Sequence, residues 1–348
     1  MGSSLLKCVL RKGGAAVCVA LCAHAFAGQT VNTKCNVQFD REWGSKGDQS
    51  GQFNFPIGIA INSAGEILVT DYYNDRIQTF AADGTYQSEF KTLPNPGALT
   101  LDPEGMVYVT HFAASIREKD KAGSGDFVSV YSPGGDLKFQ FGSRGKGDGE
   151  FDCPGGIAIG NDGRIYIADQ TNHRIQVFDK TGAFLFKWGR HGSAPGEFGG
   201  AGAANSRTSG PQFVAVDNTG NVWTTEGSNG RIQKFSCNGQ FLAAWGDNED
   251  TPGHFGGVFT GFGDDVKTTL QGPVALAFDN QQRLWVTAVS GRIQCFSQEG
   301  DYLGGIIEKQ GTGPSQFIAP HMLAFDPSGR LYVVDAFNHR IQSFQITY

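Results

Sequence analysis

The sequence predicts an all-β fold, a six-bladed β-propeller of four-stranded antiparallel blades. The first observation behind this prediction is the pattern R-I-Q-x-F, which occurs at residues 76–80, 174–178, 231–235, 292–296 and 340–344. Such recurrence along a chain is typical of repeat proteins and propellers. The second observation is that short apolar runs, separated by turn residues, surround the copies. The third is the glycine content, 50 of 348 residues, which suits a chain with many tight turns.

One repeat serves to define the elements of a blade in their order. Its four runs are rich in β-branched and aromatic residues and are residues 156–159, 164–169, 174–178 and 183–188. Turn residues of the Asn-Asp-Gly and Lys-Thr-Gly kind separate them. Runs of this length joined by such turns predict a meander of four antiparallel strands. The inner runs are almost wholly apolar, so we expect both of their faces to be buried.

The sixth blade and the closure of the ring follow from the remaining segments. Residues 97–101, 106–110 and 127–131 fill the first three strand positions of a blade that lacks R-I-Q-x-F. The last repeat ends after its third strand, at Tyr348. Residues 37–44 match the pattern of a fourth strand. We therefore expect the N-terminal strand to complete the last blade, which would leave no open sheet edge.

The first 27 residues have the pattern of a secretory signal peptide. A basic start with Lys7, Arg11 and Lys12 precedes a short apolar run, and Ala25-Phe26-Ala27 has the form of a cleavage site. The predicted organisation is a signal peptide at 1–27, a lead-in at 28–36 and a propeller at 37–348. An uncleaved anchor is the alternative. The protein is expected to be secreted or periplasmic, without a transmembrane segment once the signal is removed.

Charge and cysteine content limit the class of partner. The net charge is −6, and loss of the leader would remove three basic residues and no acidic one, which gives −9. An acidic chain lacks the basic surface that nucleic acid requires, so no nucleic-acid partner is expected. Of the seven cysteines, those outside the leader show no metal-binding spacing. We expect these four to be unpaired thiols: Cys35, Cys153, Cys237 and Cys295.

Two phrases identify a family. Residues 169–175 (D-Q-T-N-H-R-I) and residues 335–341 (D-A-F-N-H-R-I) resemble the NHL repeat, and the resemblance covers about residues 37–348. It implies a six-bladed propeller of the exported bacterial type. Propellers that resemble this one include RNA-binding modules, sensor domains, protein-binding discs and a few lyases, so the resemblance implies fold more strongly than function.

Three insertions indicate a binding face. They are residues 111–126, 199–210 and 247–272, and all extend connections that lie on the same face of a propeller. The phenylalanines of the largest insertion either form an exposed contact surface or pack the insertion against the disc. The predicted binding-face residues are His111, Phe112, Glu226, His254, Phe255, Phe259, Phe262, Asp264, Asp265, Tyr72, Tyr73 and Phe337.

Acidic residues end most of the predicted second strands. The six strand ends are Asp71, His111, Asp169, Glu226, Ala288 and Asp335. One interpretation is local: each acid accepts hydrogen bonds from the turn that follows and pairs with the arginine of R-I-Q-x-F. The other is an acidic collar that holds a hard cation such as calcium. Glu226 and His111 depart from the repeat and are the expected specialised members.

The metal hypothesis has a second form. The resemblance implies that some related propellers are lyases that hold zinc in the central channel with histidines. Of the matching positions only His321 offers an imidazole, with His111 and His254 as the other candidates. The metal candidates are therefore Asp71, Asp169, Asp335 and His321, and the sequence requires neither calcium nor zinc.

These observations favour an exported, non-catalytic binding or scaffold propeller. We expect it to recognise an extracytoplasmic protein partner or an extracellular ligand through its loop-rich face, as a subunit of an envelope or membrane-associated complex. The alternative is a metal-dependent lyase or hydrolase with its site in the central channel.

Overall fold

The computed structural model describes residues 35–113, 123, 125–200, 209–263 and 266–347, all within one unit, Thr33–Tyr348. The predicted leader, most of the lead-in and the pair Asp264 and Asp265 lie outside the described residues. Among the residues described, no helix has the length and apolarity to span a lipid bilayer. The two helices in this part of the chain are single 3-10 turns, at Tyr72–Asn74 and Ala336–Asn338.

The described strands form six four-stranded antiparallel sheets, as the repeats predict. Strand β1 (Asn36–Trp43) precedes the blades. Blade 1 consists of β2 (Pro56–Ile61), β3 (Ile67–Asp71), β4 (Arg76–Phe80) and β5 (Tyr86–Lys91). Blade 2 consists of β6 (Pro96–Leu101), β7 (Val107–His111), β8 (Phe127–Tyr131) and β9 (Leu137–Phe141). The short strands β10 (Ser143–Arg144) and β11 (Glu150–Phe151) lie in the connection to blade 3.

The second half of the ring repeats this order. Blade 3 consists of β12 (Pro154–Ile159), β13 (Ile165–Asp169), β14 (Arg174–Phe178) and β15 (Phe184–Trp188), followed by β16 (His191–Gly192) and β17 (Phe198–Gly199). Blade 4 consists of β18 (Pro211–Val216), β19 (Val222–Glu226), β20 (Arg231–Phe235) and β21 (Phe241–Trp245), followed by β22 (Val258–Gly263) and β23 (Val266–Gln271). Blade 5 consists of β24 (Pro273–Phe278), β25 (Leu284–Ala288), β26 (Ile293–Phe296) and β27 (Tyr302–Ile306). Blade 6 contains β28 (Leu323–Phe325), β29 (Leu331–Asp335) and β30 (Arg340–Thr347).

Strand β1 supplies the fourth strand of blade 6. It pairs antiparallel with β30, from Asn36 opposite Thr347 to Trp43 opposite Ile341, and the strand order of the sheet is β1-β30-β29-β28. The first strands of the six blades contact one another in a closed cycle, β2-β6-β12-β18-β24-β28-β2. The ring is therefore joined by strand pairing between the two ends of the described chain.

Buried threonines join the first strands of neighbouring blades. Thr70 accepts a hydrogen bond from Gly58 N and donates one to Gly97 O, both 2.7 Å long, so its hydroxyl bridges blades 1 and 2. Thr110 bridges blades 2 and 3, and Thr225 bridges blades 4 and 5, in the same way. Each of these buried hydroxyls accepts one hydrogen bond and donates another, which offsets the free-energy cost of removing it from water.

The phenylalanine of R-I-Q-x-F packs between blades. Phe80 contacts Trp43 on β1 and Phe53 in the connection to blade 1, with ring centroids 6.0 and 5.6 Å apart. Tilted and edge-on arrangements at such distances are favourable for aromatic pairs. The same pairing of motif phenylalanine with connection phenylalanine recurs as Phe151–Phe178, Phe198–Phe235, Phe255–Phe296 and Phe317–Phe344.

The largest insertion contains a β-hairpin where the sequence suggested a glycine-rich loop. Strands β22 and β23 pair from Val258 opposite Gln271 to Gly263 opposite Val266. The reason is local, because β-branched and aromatic residues follow one another in both arms, as in V-F-T and V-K-T-T. Phe262 falls on β22.

Candidate functional site

Each acidic strand end is the centre of a hydrogen-bond network that anchors the connection leading into its own blade. In blade 1, Asp71 accepts hydrogen bonds from Asn54 N (2.6 Å), Asn74 Nδ2 (2.8 Å) and Arg76 Nε (2.9 Å). Arg76 also donates to Gln52 O (2.9 Å). Asn54 and Gln52 precede β2, so the network fixes the peptide that joins blade 6 to blade 1.

The same network recurs in blades 3, 4 and 6. The ion pairs are Arg174–Asp169 at 2.7 Å, Arg231–Glu226 at 2.6 Å and Arg340–Asp335 at 2.8 Å, and each carboxylate is fully buried. Glu226 was expected to be a specialised binding-face residue, and this expectation was wrong. Its carboxylate accepts hydrogen bonds from Gly199 N and Asn229 Nδ2. These donors correspond to Asn54 and Asn74 around Asp71, and the longer side chain of glutamate reaches them equally well.

Burial sets the electrostatics of these carboxylates. Burial raises the pKa of Asp169 to about 6, although its bonds to Asp152 N, Arg174 and Asn172 act in the opposite direction. Burial likewise raises the pKa of Asp71, Glu226 and Asp335. Their oxygens are already engaged by protein donors, and within the described chain they do not come together as a group that could hold a metal ion. This geometry favours the local interpretation over the calcium collar.

His111 takes the place of the acid in blade 2 and is completely buried. Its Nδ1 lies 2.8 Å from Pro94 O, its Nε2 lies 2.6 Å from Ser129 Oγ, and its ring stacks on Phe127 at 4.6 Å. Burial lowers the pKa of His111 to about 4, so the ring is neutral at pH 7. The prediction that His111 contacts a partner was wrong, because the ring replaces the acid–arginine pair inside the blade.

His321 does not meet other metal ligands. Its Nδ1 lies 2.9 Å from Ala319 O, and its ring is edge-on to Phe55 at 5.5 Å. Burial lowers the pKa of His321 to about 4. A catalytic zinc needs about three protein ligands and an open position. In the part of the chain that is described, neither His321 nor His111 belongs to a group of three potential ligands.

One group of three potential ligands lies on the connection leading into blade 5. It comprises Asp247, Glu249 and His254, with His254 Nδ1 2.8 Å from Asp247 Oδ1. Both acids are exposed, and exposed groups of this kind are common without an ion. His254 is half-buried, and its contact with Asp247 is a hydrogen bond within the loop.

Phe255 was predicted to lie on the binding face, and this prediction was wrong. Its ring is completely buried and packs against Phe296 at 5.3 Å. The sequence held a signal for this that was missed: a phenylalanine also ends the short connection segments G-Q-F, G-E-F, G-E-F and S-Q-F at residues 53, 151, 198 and 317. Phe255 in G-H-F is the copy that belongs to blade 5.

Six aromatic side chains form a continuous row on the loop-rich face, which we call the aromatic arc. Its successive ring contacts are Phe112–Tyr72 at 5.4 Å, Tyr72–Phe55 at 6.3 Å, Phe55–Phe337 at 4.9 Å and Phe337–Phe259 at 4.5 Å. Tyr73 contacts both Tyr72 (4.9 Å) and Phe55 (5.9 Å). The arc thus joins blades 1, 2 and 6 and the hairpin before blade 5.

The arc is fixed in place and partly open to solvent. Tyr72 is buried and its hydroxyl donates to Phe112 O at 2.8 Å. Tyr73 is 42% exposed, while Phe55, Phe112, Phe259 and Phe337 are half-buried. Val258, beside Phe259, is 62% exposed and extends the apolar surface. The arrangement offers ring edges and faces for apolar contact and has no nucleophile–base pair within it.

Phe55 is the member of the arc that the sequence analysis missed. It has a φ of 66°, in the left-handed region that bulky residues rarely adopt, and its N–H donates to His339 Nδ1 at 3.1 Å. Residues before the proline that opens a blade often share this conformation, as Asn95, Cys153 and Ala319 do. The sequence signal for Phe55 was therefore an aromatic residue directly before Pro56, at a position where the backbone takes the left-handed conformation.

The comparisons with known proteins agree with the fold. The family model of the NHL repeat matches residues 53–80, 151–178 and 208–235, and each match ends on the phenylalanine of an R-I-Q-x-F copy. NHL repeat-containing protein 3 of Mus musculus is 25% identical over 307 residues, which cover 82% of this chain and 78% of that protein.

A further relative and a solved structure show how far the similarity extends. Protein brain tumor of Drosophila melanogaster is 27% identical over 148 residues, 42% of this chain, and the match spans 14% of that protein's length. The solved structure of a streptogramin B lyase matches with a TM-score of 0.56 at 15% identity, over 90% of this chain and 98% of the lyase chain. At that identity it shows a shared fold alone. The three matched segments and the six four-stranded sheets show that the chain contains NHL repeats and has the fold of a six-bladed β-propeller.

Proposed function

We propose that this protein is an exported, non-catalytic binding module that recognises a protein partner through the aromatic arc. The observation that carries the proposal is the arc itself: six aromatic side chains from four parts of the ring, in mutual contact and partly exposed. Contiguous apolar surface on a rigid frame is typical of protein interfaces, and aromatic residues are enriched at their centres.

The partner is a protein segment with aromatic or aliphatic anchors and a neutral or positive charge. The half-buried rings of Phe55 and Phe337 would pack against such anchors, and Tyr73 would cover them at the edge. The charge requirement follows from the acidic balance of the chain, because complementary charge speeds encounter and excludes acidic competitors. As a rigid disc with one loop-rich face, the protein would serve as a scaffold subunit of an envelope or membrane-associated complex.

The alternative, a metal-dependent lyase or hydrolase, has weaker support. It needs several ligands that converge on one point of the central channel. His321 instead contacts the rings of Phe55 and Phe337, and its Nδ1 lies within hydrogen-bonding distance of Ala319 O. The likeness to a streptogramin B lyase extends to the fold and carries no site residue.

Export is part of the proposal and has a separate test. The pattern of residues 1–27 supports cleavage after Ala27, so the protein recovered from its host is expected to begin at Gly28. N-terminal sequencing of the purified native protein measures this directly. Recovery of a chain that keeps residues 1–27 would contradict cleavage and favour the anchored alternative.

Binding is tested with a displayed library of random peptides selected on the immobilised chain. We expect the enriched peptides to combine aromatic or aliphatic residues with lysine or arginine. Their affinity is then measured for the wild type, for Tyr73→Ala and for Phe337→Ala. Loss of one aromatic anchor at an interface costs about 1–2 kcal/mol or more, so we expect each variant to bind at least about fivefold more weakly.

The matched control is Leu185→Ala, on strand β15. Leu185 is 44% exposed, against 42% for Tyr73, but it lies on the outer strand of blade 3, away from the arc. Affinity for this variant should equal that of the wild type. Equal loss in Leu185→Ala and Tyr73→Ala, or full affinity in both arc variants, would contradict the proposal.

A further inference from the structure

Two cysteines from distant parts of the sequence meet inside the propeller. The sulfur atoms of Cys35 and Cys295 lie 3.1 Å apart, although 260 positions separate the residues in the chain. Both side chains are buried, Cys295 completely and Cys35 with 8% exposure. Each is in the thiol form here. The sequence analysis expected four unpaired thiols because no two cysteines fall in one blade, and it did not foresee a pair across two blades.

The pair lies where the ring is closed. Cys35 directly precedes β1, the strand that completes blade 6, and its N–H donates to Leu303 O on β27 of blade 5 at 3.2 Å. Cys35 also forms an isolated parallel bridge with Gly304. Cys295 lies on β26, the third strand of blade 5. A bond between the two sulfurs would therefore join the closing strand to the neighbouring blade.

The two thiols differ in acidity. The hydrogen bond between the two sulfur atoms lowers the pKa of Cys35, and the positive charge of Arg283 acts in the same direction. The same hydrogen bond, together with burial, raises the pKa of Cys295. Thiolate is the reactive form of cysteine in disulfide exchange, so Cys35 is the residue that would attack first and Cys295 the one that would resolve the intermediate.

We propose that Cys35 and Cys295 form a disulfide that locks the closure of the propeller. In the first step the Cys35 thiolate attacks a low-molecular-mass disulfide such as oxidised glutathione, forms a mixed disulfide and releases one glutathione thiolate. In the second step Cys295, as its thiolate, attacks the Cys35 sulfur and releases the second glutathione. Two protein thiols are oxidised and one glutathione disulfide is reduced to two thiols, so atoms and electrons balance.

The disulfide acts on the part of the ring held only by noncovalent pairing. Strand β1 reaches blade 6 through its ladder with β30, and no peptide links β1 to the strands beside it in that sheet. A crosslink that encloses so long a stretch of chain removes much of the freedom of the unfolded state. Oxidation should therefore raise the Tm, by on the order of 10 °C for a chain of this size.

The test is peptide mapping of the purified chain after incubation with oxidised glutathione under native conditions. Digestion with trypsin without reduction should give residues 35–41 linked to residues 293–309, and reduction should separate them. Thermal unfolding of the oxidised and reduced forms should differ by several degrees. Recovery of Cys35 and Cys295 as free, alkylatable thiols after oxidation would overturn the proposal, as would equal Tm values for the two forms.

Cysteine variants distinguish formation of the Cys35–Cys295 disulfide from oxidation of other residues. In Cys35→Ser and in Cys295→Ala, oxidation should no longer raise the Tm. The matched control is Cys237→Ser, because Cys237 is half-buried on a different blade and should leave both the linked peptides and the Tm difference unchanged. A Tm difference that disappears in Cys237→Ser but persists in Cys35→Ser would also overturn the proposal. This inference does not rest on the aromatic arc, so it stands or fails independently of the proposed function.

Discussion

At the scale of single residues, R-I-Q-x-F performs the same task in blades 1, 3, 4 and 6. The arginine binds both the strand-end acid and carbonyl oxygens of the connection, as Arg174 does with Asp169 and Glu150 O. The glutamine, as Gln176 shows, donates to the same carbonyl and accepts from Gly149 N. The isoleucine and phenylalanine are buried on the strand. The motif therefore belongs to the frame of the molecule.

Removal of the arginine from one network should destabilise the whole protein. In Arg174→Met the buried carboxylate of Asp169 loses its charged partner, and loss of one member of a buried ion pair costs about 3–5 kcal/mol. Urea unfolding of the variant measures this cost. The control is Lys187→Met, which breaks the exposed pair with Asp148 and should change the free energy of unfolding little. Similar values for the two variants would contradict the structural role of the motif.

Protonation of His321 should make stability fall in acid. Burial lowers the pKa of His321 to about 4 from an ordinary value near 6.5, so the unfolded chain binds more protons between these pH values. The contribution of His321 is therefore complete above about pH 6.5 and lost as the pH falls through about 4, by roughly 3 kcal/mol. The raised pKa of Asp169 acts in the opposite direction, since its folded form binds the proton more tightly.

A variant isolates the histidine from these opposing effects. His321→Phe keeps a ring beside Phe55 and Phe337 but cannot titrate. The stability of the wild type relative to His321→Phe should decline between pH 7 and pH 4.5, measured by thermal unfolding at both pH values. A wild-type-to-variant difference that does not vary with pH would contradict the assignment.

At the scale of elements, the connection into blade 5 combines a structural and a surface role. Phe255 is buried between blades, whereas Phe259, four residues later on β22, joins the arc through Phe337. The sequence showed the insertion and its phenylalanines but not this division. Burial of Phe255 followed from its place in the repeat, while the position of Phe259 depends on the hairpin of β22 and β23, which lies outside the four strands of a blade.

The two phenylalanines should therefore respond differently to substitution. Phe255→Ala creates a cavity between blades and should cost about 3–5 kcal/mol of unfolding free energy. Phe259→Ala should cost much less stability and should instead weaken the peptides selected on the arc. Urea unfolding and peptide affinity of both variants give the comparison. If Phe255→Ala instead weakened peptide binding and left the free energy of unfolding unchanged, Phe255 would have a surface role and the assignment would be contradicted.

At the scale of the whole molecule, the sequence predicted the repeating part of the structure and missed what the repeats bring together. The blades, their order and the fourth-strand pattern of residues 37–44 follow from period and turns, which are local signals. The contact of Phe55 with Phe337, and of Cys35 with Cys295, joins residues far apart in the chain. Such contacts depend on how adjacent blades orient their connections, which no single repeat encodes.

Closure of the ring makes a prediction at this scale. Deletion of residues 1–43 would remove β1 and expose the edge of β30, which pairs with it from residue 341 to residue 347. An unpaired strand edge promotes association with other chains. Size-exclusion chromatography should show larger species for the truncated chain than for the chain that begins at Gly28. A truncated chain that stays the same size class and unfolds at the same Tm would contradict a closing role for β1.

The measurement that tests the central claim most directly is site-specific photo-cross-linking of a selected peptide. p-Benzoylphenylalanine is placed in turn at Tyr73 and Phe259 on the arc and at Leu185 and Leu242 on outer strands, and Tyr73, Leu185 and Leu242 are 42%, 44% and 45% exposed. The account predicts covalent adducts from the two arc positions and none from the outer strands. Adducts at Leu185 or Leu242 without adducts at the arc would show that binding occurs elsewhere on the propeller.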